Sequence, residues 1–92
     1  MSLHVLFYES AEDVLLLVPA HYPAHRERLV EFKARGDLVL VGVFDDAQRD
    51  GSMSVFTTRQ AAEDFVAGDP FVREGVVRSW TIKEWHESIG DL

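Results

Sequence analysis

His25 and Asp69 are the residues of this chain whose types and placement could move a proton. An imidazole changes charge close to neutral pH, and a carboxylate within hydrogen-bond distance fixes its tautomer and stabilises its cation, as a general base or acid requires. His25 falls on one helical stripe with Tyr22, Leu29 and Phe32, at steps of three and four. On such a stripe an imidazole finds a partner or loses roughly 1 to 3 kcal/mol. The plain alternative is a core histidine satisfied by its neighbours. Asp69 has a plain role too: ahead of Pro70 it suits the N-cap of a turn at Phe71, worth about 0.5 to 2 kcal/mol. Those plain roles and a shared proton-transfer role are compatible.

Other chemistries have less to stand on. His21 and His25 have the i, i+4 spacing of paired helical metal ligands, but no glutamate lies in the usual place between them and no third ligand is evident. We therefore expect no metal and no cofactor. Ser52, Ser54 and Ser79 lack the strand-turn-helix sequence of a nucleophile elbow. There is no phosphate loop or dinucleotide fingerprint. The absence of cysteine removes disulfides, thiol catalysis and thiolate metal sites together. Trp80, Trp85 and Phe71 suit core or interface anchors better than a stacking platform.

Composition narrows the partners. Ninety-two residues, 47% hydrophobic and 27% charged, make one globular domain, 1–92. A net charge of −7, with nine Lys and Arg scattered among sixteen acids, argues against nucleic acid and against an anionic membrane surface. The apolar run Val14 to Val18 is far shorter than the roughly 20 residues needed to cross a bilayer, so a cytoplasmic location is expected. A chain this short hides only about 60 to 65% of the surface its unfolded form exposes, which makes self-association attractive.

The elements that must position His25 and Asp69 follow from periodicity. His4 to Tyr8 reads as a first strand, stopping at Glu9 and Ser10. Glu12 to Val18 is ambiguous between strand and helix. A helix is expected from Pro23 to Arg35, closed by Gly36. Leu38 to Phe44 is apolar on both faces of any strand it forms, so cover is needed on both sides. Asp45 to Gly51 reads as a polar connection, and Ser52 to Phe56 alternates as a third strand. Thr57 and Gln60 have capping-box spacing ahead of a helix that Gly68 ends. Val76 to Trp85 alternates as a long last strand, with a polar tail from His86.

The order β, α, β, β, α, β predicts an α+β fold of the ferredoxin-like, split βαβ kind, with an antiparallel four-stranded sheet and both helices on one face. In that arrangement the first helix and the end of the second lie side by side, which would let Asp69 meet His25. The other sheet face stays bare and apolar, and we expect a second copy to cover it, sheet against sheet.

The chain resembles the YCII, or YciI-like, family. The resemblance spans nearly the whole length: Tyr22-Pro23-Ala24-His25 followed by Leu29, then Gly36-Asp37-Leu38-Val39-Leu40-Val41-Gly42, then Ala61-Ala62, Asp69-Pro70-Phe71, and the closing strand at Trp85. It implies a dimeric α+β barrel and an active site built on a His and an Asp that match His25 and Asp69, with Tyr22, Gly42 and Phe71 assigned to a small-molecule substrate. The family is similar in fold to muconolactone isomerases, and one branch removes chloride from a chlorinated hydroxyquinone. This chain departs from the pattern at Tyr22, where many relatives carry Arg, and at Val43 and Glu84, where many carry Pro. Two functions follow as expectations. One is a small acid/base isomerase or lyase for a cyclic or aromatic metabolite; the other is a dimeric binding module without chemistry.

Overall fold

Residues 2–89 are described by a computed structural model. The elements run β1 (Ser2–Ser10), α1 (Val14–Ala34), β2 (Leu38–Val43), α2 (Ala47–Asp50), β3 (Ser52–Phe56), α3 (Arg59–Gly68), α4 (Pro70–Arg73) and β4 (Val77–His86). The sheet has the order β2-β3-β1-β4 with every neighbouring pair antiparallel. This is the ferredoxin-like α+β architecture, with two one-turn helices, α2 and α4, added to the expected six elements.

Strand alternation divides the sheet into two faces. Leu6, Tyr8 and Phe56 point toward the helices and form the core with Phe32, Leu38, Ala61, Ala62, Phe65, Val66 and Val77. Phe32, Phe56 and Phe65 meet edge-on or tilted, with ring centroids 5.2 to 6.3 Å apart. The opposite face carries Val5, Phe7, Met53 and Trp85, which line a shallow apolar trough. On β2 the edge side chains Leu40, Val41 and Val43 are exposed.

Several boundaries differ from the sequence expectation, each for a physical reason. The first helix begins at Val14, not Pro23, and takes in the segment Glu12 to Val18 left ambiguous by its period. It passes through Pro19 and Pro23 without breaking. Each proline removes one helical N–H, and the carbonyls so orphaned belong to Leu15 and Pro19. Leu15, Pro19 and Pro23 are all exposed, so water can bond what the helix cannot. The expected connection Asp45 to Gly51 contains a helical turn, α2, because the Asp46 carboxylate accepts from the Arg49 N–H at 3.1 Å. The cap of α3 is Thr58 and not Thr57: the Thr58 hydroxyl accepts from the Ala61 N–H at 3.0 Å, while Gln60 donates to Asp64 instead of closing a capping box. The last strand starts one residue later, at Val77, and includes His86; β1 continues through Glu9 to Ser10.

Candidate active site

Three separate elements deliver the side chains that meet beneath the helices. β1 brings Tyr8, α1 brings His25, and the junction of α3 with α4 brings Asp69. Asp69 adopts extended φ/ψ of −71° and 121°, which ends one helix and begins the next, with Pro70 in the first turn of α4. The junction is tied to α1 by Arg28, whose guanidinium donates to the carbonyls of Phe65 at 3.2 Å and Asp64 at 2.7 Å. Gly68 leaves the room this needs, since a Cβ there would run into the Arg28 guanidinium. Those two α3 carbonyls therefore have a partner, and α1 and α3 are held side by side at the level of His25.

The Asp69 side chain is fully buried. Its Oδ1 lies 2.8 Å from His25 Nδ1 and accepts the Phe71 backbone N–H at 3.1 Å, and its Oδ2 accepts the Tyr8 hydroxyl at 2.6 Å. The Phe71 N–H can only donate, the Tyr8 hydroxyl is turned to donate, and an ionised carboxylate accepts at both oxygens. That assigns the His25 tautomer: Nδ1 carries the proton given to Asp69, and Nε2 is left with a lone pair. Nε2 makes no hydrogen bond to the described residues. The His25 side chain is 10% exposed. It is clamped from the sides by Phe71, stacked at 3.8 Å between centroids, and by Phe65, edge-on at 6.1 Å.

Burial, with the charge of Asp69 and the bond to it added, pushes the Tyr8 hydroxyl far above the ordinary tyrosine range, and Arg28 offsets this only in part. Tyr8 thus stays protonated and remains a donor to Asp69 under all physiological conditions.

Of the residues expected from sequence to form a site, the structure brings His25, Asp69 and Phe71 together. Tyr22 stands on the exposed side of α1, its ring 6.4 Å from that of His25. Gly42 pairs with Met53, and Met53 with Phe7, on the sheet face away from the helices. Tyr8 was missed by sequence reasoning. The signal for it was present: alternation from Leu6 puts Tyr8 on the covered face, where a phenol hydroxyl must find a partner.

A cleft of about 90 Å³ opens beside the cluster, lined by Tyr8 and Phe71 together with Val14, Val18, Val43 and Val76. A larger groove, about 580 Å³, runs between α1 and β2 past Tyr22, Arg26 and Lys33, but neither His25 nor Asp69 lines it. Neither His25 nor Asp69 lines the smaller recess either; their cluster borders it through Tyr8 and Phe71, and borders the larger groove through Tyr22. Among the described residues no group of three His, Cys, Asp or Glu side chains is placed to hold a metal ion. No described helix is long and apolar enough to cross a membrane.

Residues 2–86 match the YCII-related domain. The chain belongs to the YCII family. No curated protein matches this YCII chain by sequence. Among solved structures it is similar to the 5-chloro-2-hydroxyhydroquinone dehydrochlorinase of Burkholderia phenoliruptrix in complex with 2,5-dihydroxybenzoquinone, with 21% identity and a TM-score of 0.75 over 94% of this chain and 95% of that one. It is also similar to a protein from Agrobacterium tumefaciens, with 12% identity and a TM-score of 0.63 over 98% and 96% of the two chains. An antibiotic biosynthesis monooxygenase shares 14% identity and a TM-score of 0.57 over 96% and 99%. At these identities the likeness is one of fold.

Proposed function

We propose that this YCII protein is a small acid/base enzyme, an isomerase or a dehydrochlorinase-like lyase, acting on a compact cyclic or aromatic compound. The observation that carries this is the bond of His25 Nδ1 to Asp69 at 2.8 Å, which leaves Nε2 without a hydrogen bond to the described residues. In an isomerisation Nε2 would take a proton from carbon next to a carbonyl and return it elsewhere on the same substrate. In an elimination the electrons of the broken bond to hydrogen would expel chloride, with the proton left on Nε2 and hydrogen chloride lost overall. In both, Asp69 holds the imidazole in the productive tautomer and stabilises the imidazolium formed. No cofactor enters either step. The Burkholderia dehydrochlorinase, described with a dihydroxybenzoquinone, shows this fold accommodating a six-membered ring.

Phe71 and Tyr22 would border the approach to Nε2. Gly42, on the other sheet face, has no part in this arrangement. The proposal includes a homodimer in which the trough of Val5, Phe7, Met53 and Trp85 meets its counterpart and covers the sheet face opposite the His25 site. A soluble, cytoplasmic address accords with the acidic charge, as does the lack of nucleic-acid and membrane partners.

The direct test is a screen of lactones and halogenated phenols with the parent protein and His25→Ala. Turnover that disappears in the variant supports the assignment; equal turnover in the two removes His25 from the mechanism. The small recess and the low exposure of His25 favour one second reading, a dimeric binding module. Ligand binding that is weakened by His25→Ala, with no product formed by the parent, would select it.

A further inference from the structure

Tyr8 stands on the strand beneath His25, and its hydroxyl secures the carboxylate oxygen that the imidazole does not use. Asp69 has two oxygens and three donors: Oδ1 accepts from His25 and Phe71, and Oδ2 accepts from Tyr8 alone. With the Tyr8 hydroxyl gone, Oδ2 would be a buried charged oxygen with no donor among the described residues. A carboxylate in that position turns about its χ2 torsion or draws in water to relieve the loss, and both movements disturb Oδ1.

We propose that Tyr8 is a positioning residue of the proton-transfer site: by occupying Asp69 Oδ2 it holds the carboxylate in one rotamer and reserves Oδ1 for His25 Nδ1–H, so that the lone pair of His25 stays on Nε2. The catalytic consequence rests on the acid/base assignment of His25 and Asp69, whereas the positioning itself does not.

The surroundings make Tyr8 suited to this and to little else. Its backbone is fixed on both sides, paired with Ser52 of β3 and Trp80 of β4. Gly51 packs directly on its carbonyl, leaving no space for a side chain. Tyr8 is 7% exposed, and its hydroxyl is turned onto Asp69 Oδ2. The charged groups that act on it are Asp69, from the α3/α4 junction, and Arg28, from α1. Tyr8 and Phe71, which supply the two donors to Asp69 besides His25, are also residues that line the recess.

The test is Tyr8→Phe, which keeps the ring and removes only the hydroxyl. Isotope-labelled protein is studied by nuclear magnetic resonance of the His25 ring nitrogens at a pH where the imidazole is neutral. In the parent Nδ1 carries the proton and Nε2 none. In Tyr8→Phe the Nδ1 proton exchanges with solvent at least tenfold faster, and the second tautomer, with the proton on Nε2, becomes visible. A folded variant with the parent's tautomer and exchange rate overturns the proposal, since packing by the ring alone predicts no change. Should Tyr8→Phe fail to fold, biosynthetic replacement of the tyrosines by ring-fluorinated tyrosine keeps the shape and strengthens the donor. The His25 Nδ1 proton signal then moves toward that of a weaker hydrogen bond, and an unmoved signal overturns the proposal.

Neither measurement involves turnover. Failure of the Tyr8 assignment is thus read in these spectra, and failure of the enzyme assignment in the comparison of parent with His25→Ala. Once a substrate is in hand, Tyr8→Phe lowers kcat about tenfold and leaves KM unchanged, the pattern of a lost alignment and not a lost contact.

Discussion

The ring of Phe71 lies flat against the imidazole of His25, with centroids 3.8 Å apart and planes 6° from parallel. The same residue donates its backbone N–H to Asp69 Oδ1. Phe71 therefore fixes the orientation of the imidazole with its side chain and that of the carboxylate with its main chain. The two contributions can be separated by mutation.

Phe71→Leu keeps the backbone donor and removes only the stack. An aromatic pair adds about 0.5 to 1.5 kcal/mol beyond area burial. For a domain of this size that corresponds to a fall in Tm of roughly 2 to 12 °C, by scaling 1 kcal/mol to about 4 to 8 °C. Calorimetry of the variant checks this, and the acid/base role adds that turnover falls by a larger factor than stability explains.

Removing the carboxylate strands three donors at once. Asp69→Ala should cost about 3 to 5 kcal/mol, the usual loss when one member of a buried pair is deleted. Asp69→Asn is milder. Its oxygen can keep His25 and Phe71, and its amide can donate to the Tyr8 oxygen, which also accepts. Urea midpoints should rank parent above Asp69→Asn above Asp69→Ala.

Alkaline stability reports on Tyr8. Its folded-state hydroxyl titrates far above the ordinary value because of burial and Asp69, so the folded protein keeps a proton that the unfolded chain loses above about pH 10. The unfolded state then binds fewer protons, and stability is complete below pH 10 and declines above it by about 1.4 kcal/mol per unit from this group. In Tyr8→Phe that part of the slope is absent. Chemical unfolding of both proteins at pH 9, 10 and 11, taken here as roughly bracketing the tyrosine range, gives the comparison.

Gly51→Ala should be among the most damaging single substitutions. Gly51 has φ of +72°, which an L side chain adopts poorly, and a Cβ would collide with the Tyr8 carbonyl. Backbone cannot yield as a flexible side chain can, so a loss of more than about 2 kcal/mol is expected. Gly36→Ala, with φ of +82° but open space around it, bears only the conformational cost and should lose less.

How far the fold was legible depends on what each segment offered. β3 was readable residue by residue, because Ser52 to Phe56 alternates and is bounded by Gly51 and Thr57. The antiparallel sheet with helices on one face followed from element order alone. The N-terminal half of α1 was hidden by Pro19 and Pro23, which ordinarily end helices; only their common wet stripe, invisible without the fold, lets this one continue. Of two adjacent threonines, capping-box spacing points to Thr57 as the cap of α3, and the structure uses Thr58. At the site, His25 and Asp69 were legible as a polar group on an apolar stripe and an Asp-Pro cap, patterns that also fit plain structural roles, and the family resemblance singled them out as a pair. Tyr8 was not, since a tyrosine in a strand satisfies β propensity without any further reason.

The two tryptophans sit on one strand, β4, and alternation sends them to opposite sides of the sheet. Trp80 is 43% exposed and Trp85 58%. Intrinsic fluorescence of this protein consequently observes the rim of the sheet and says little about the phenylalanine core. In a Trp80→Phe background, the emission of Trp85 becomes an optical gauge of the face it lies on, and the proposed homodimer predicts a shift to the red on dilution.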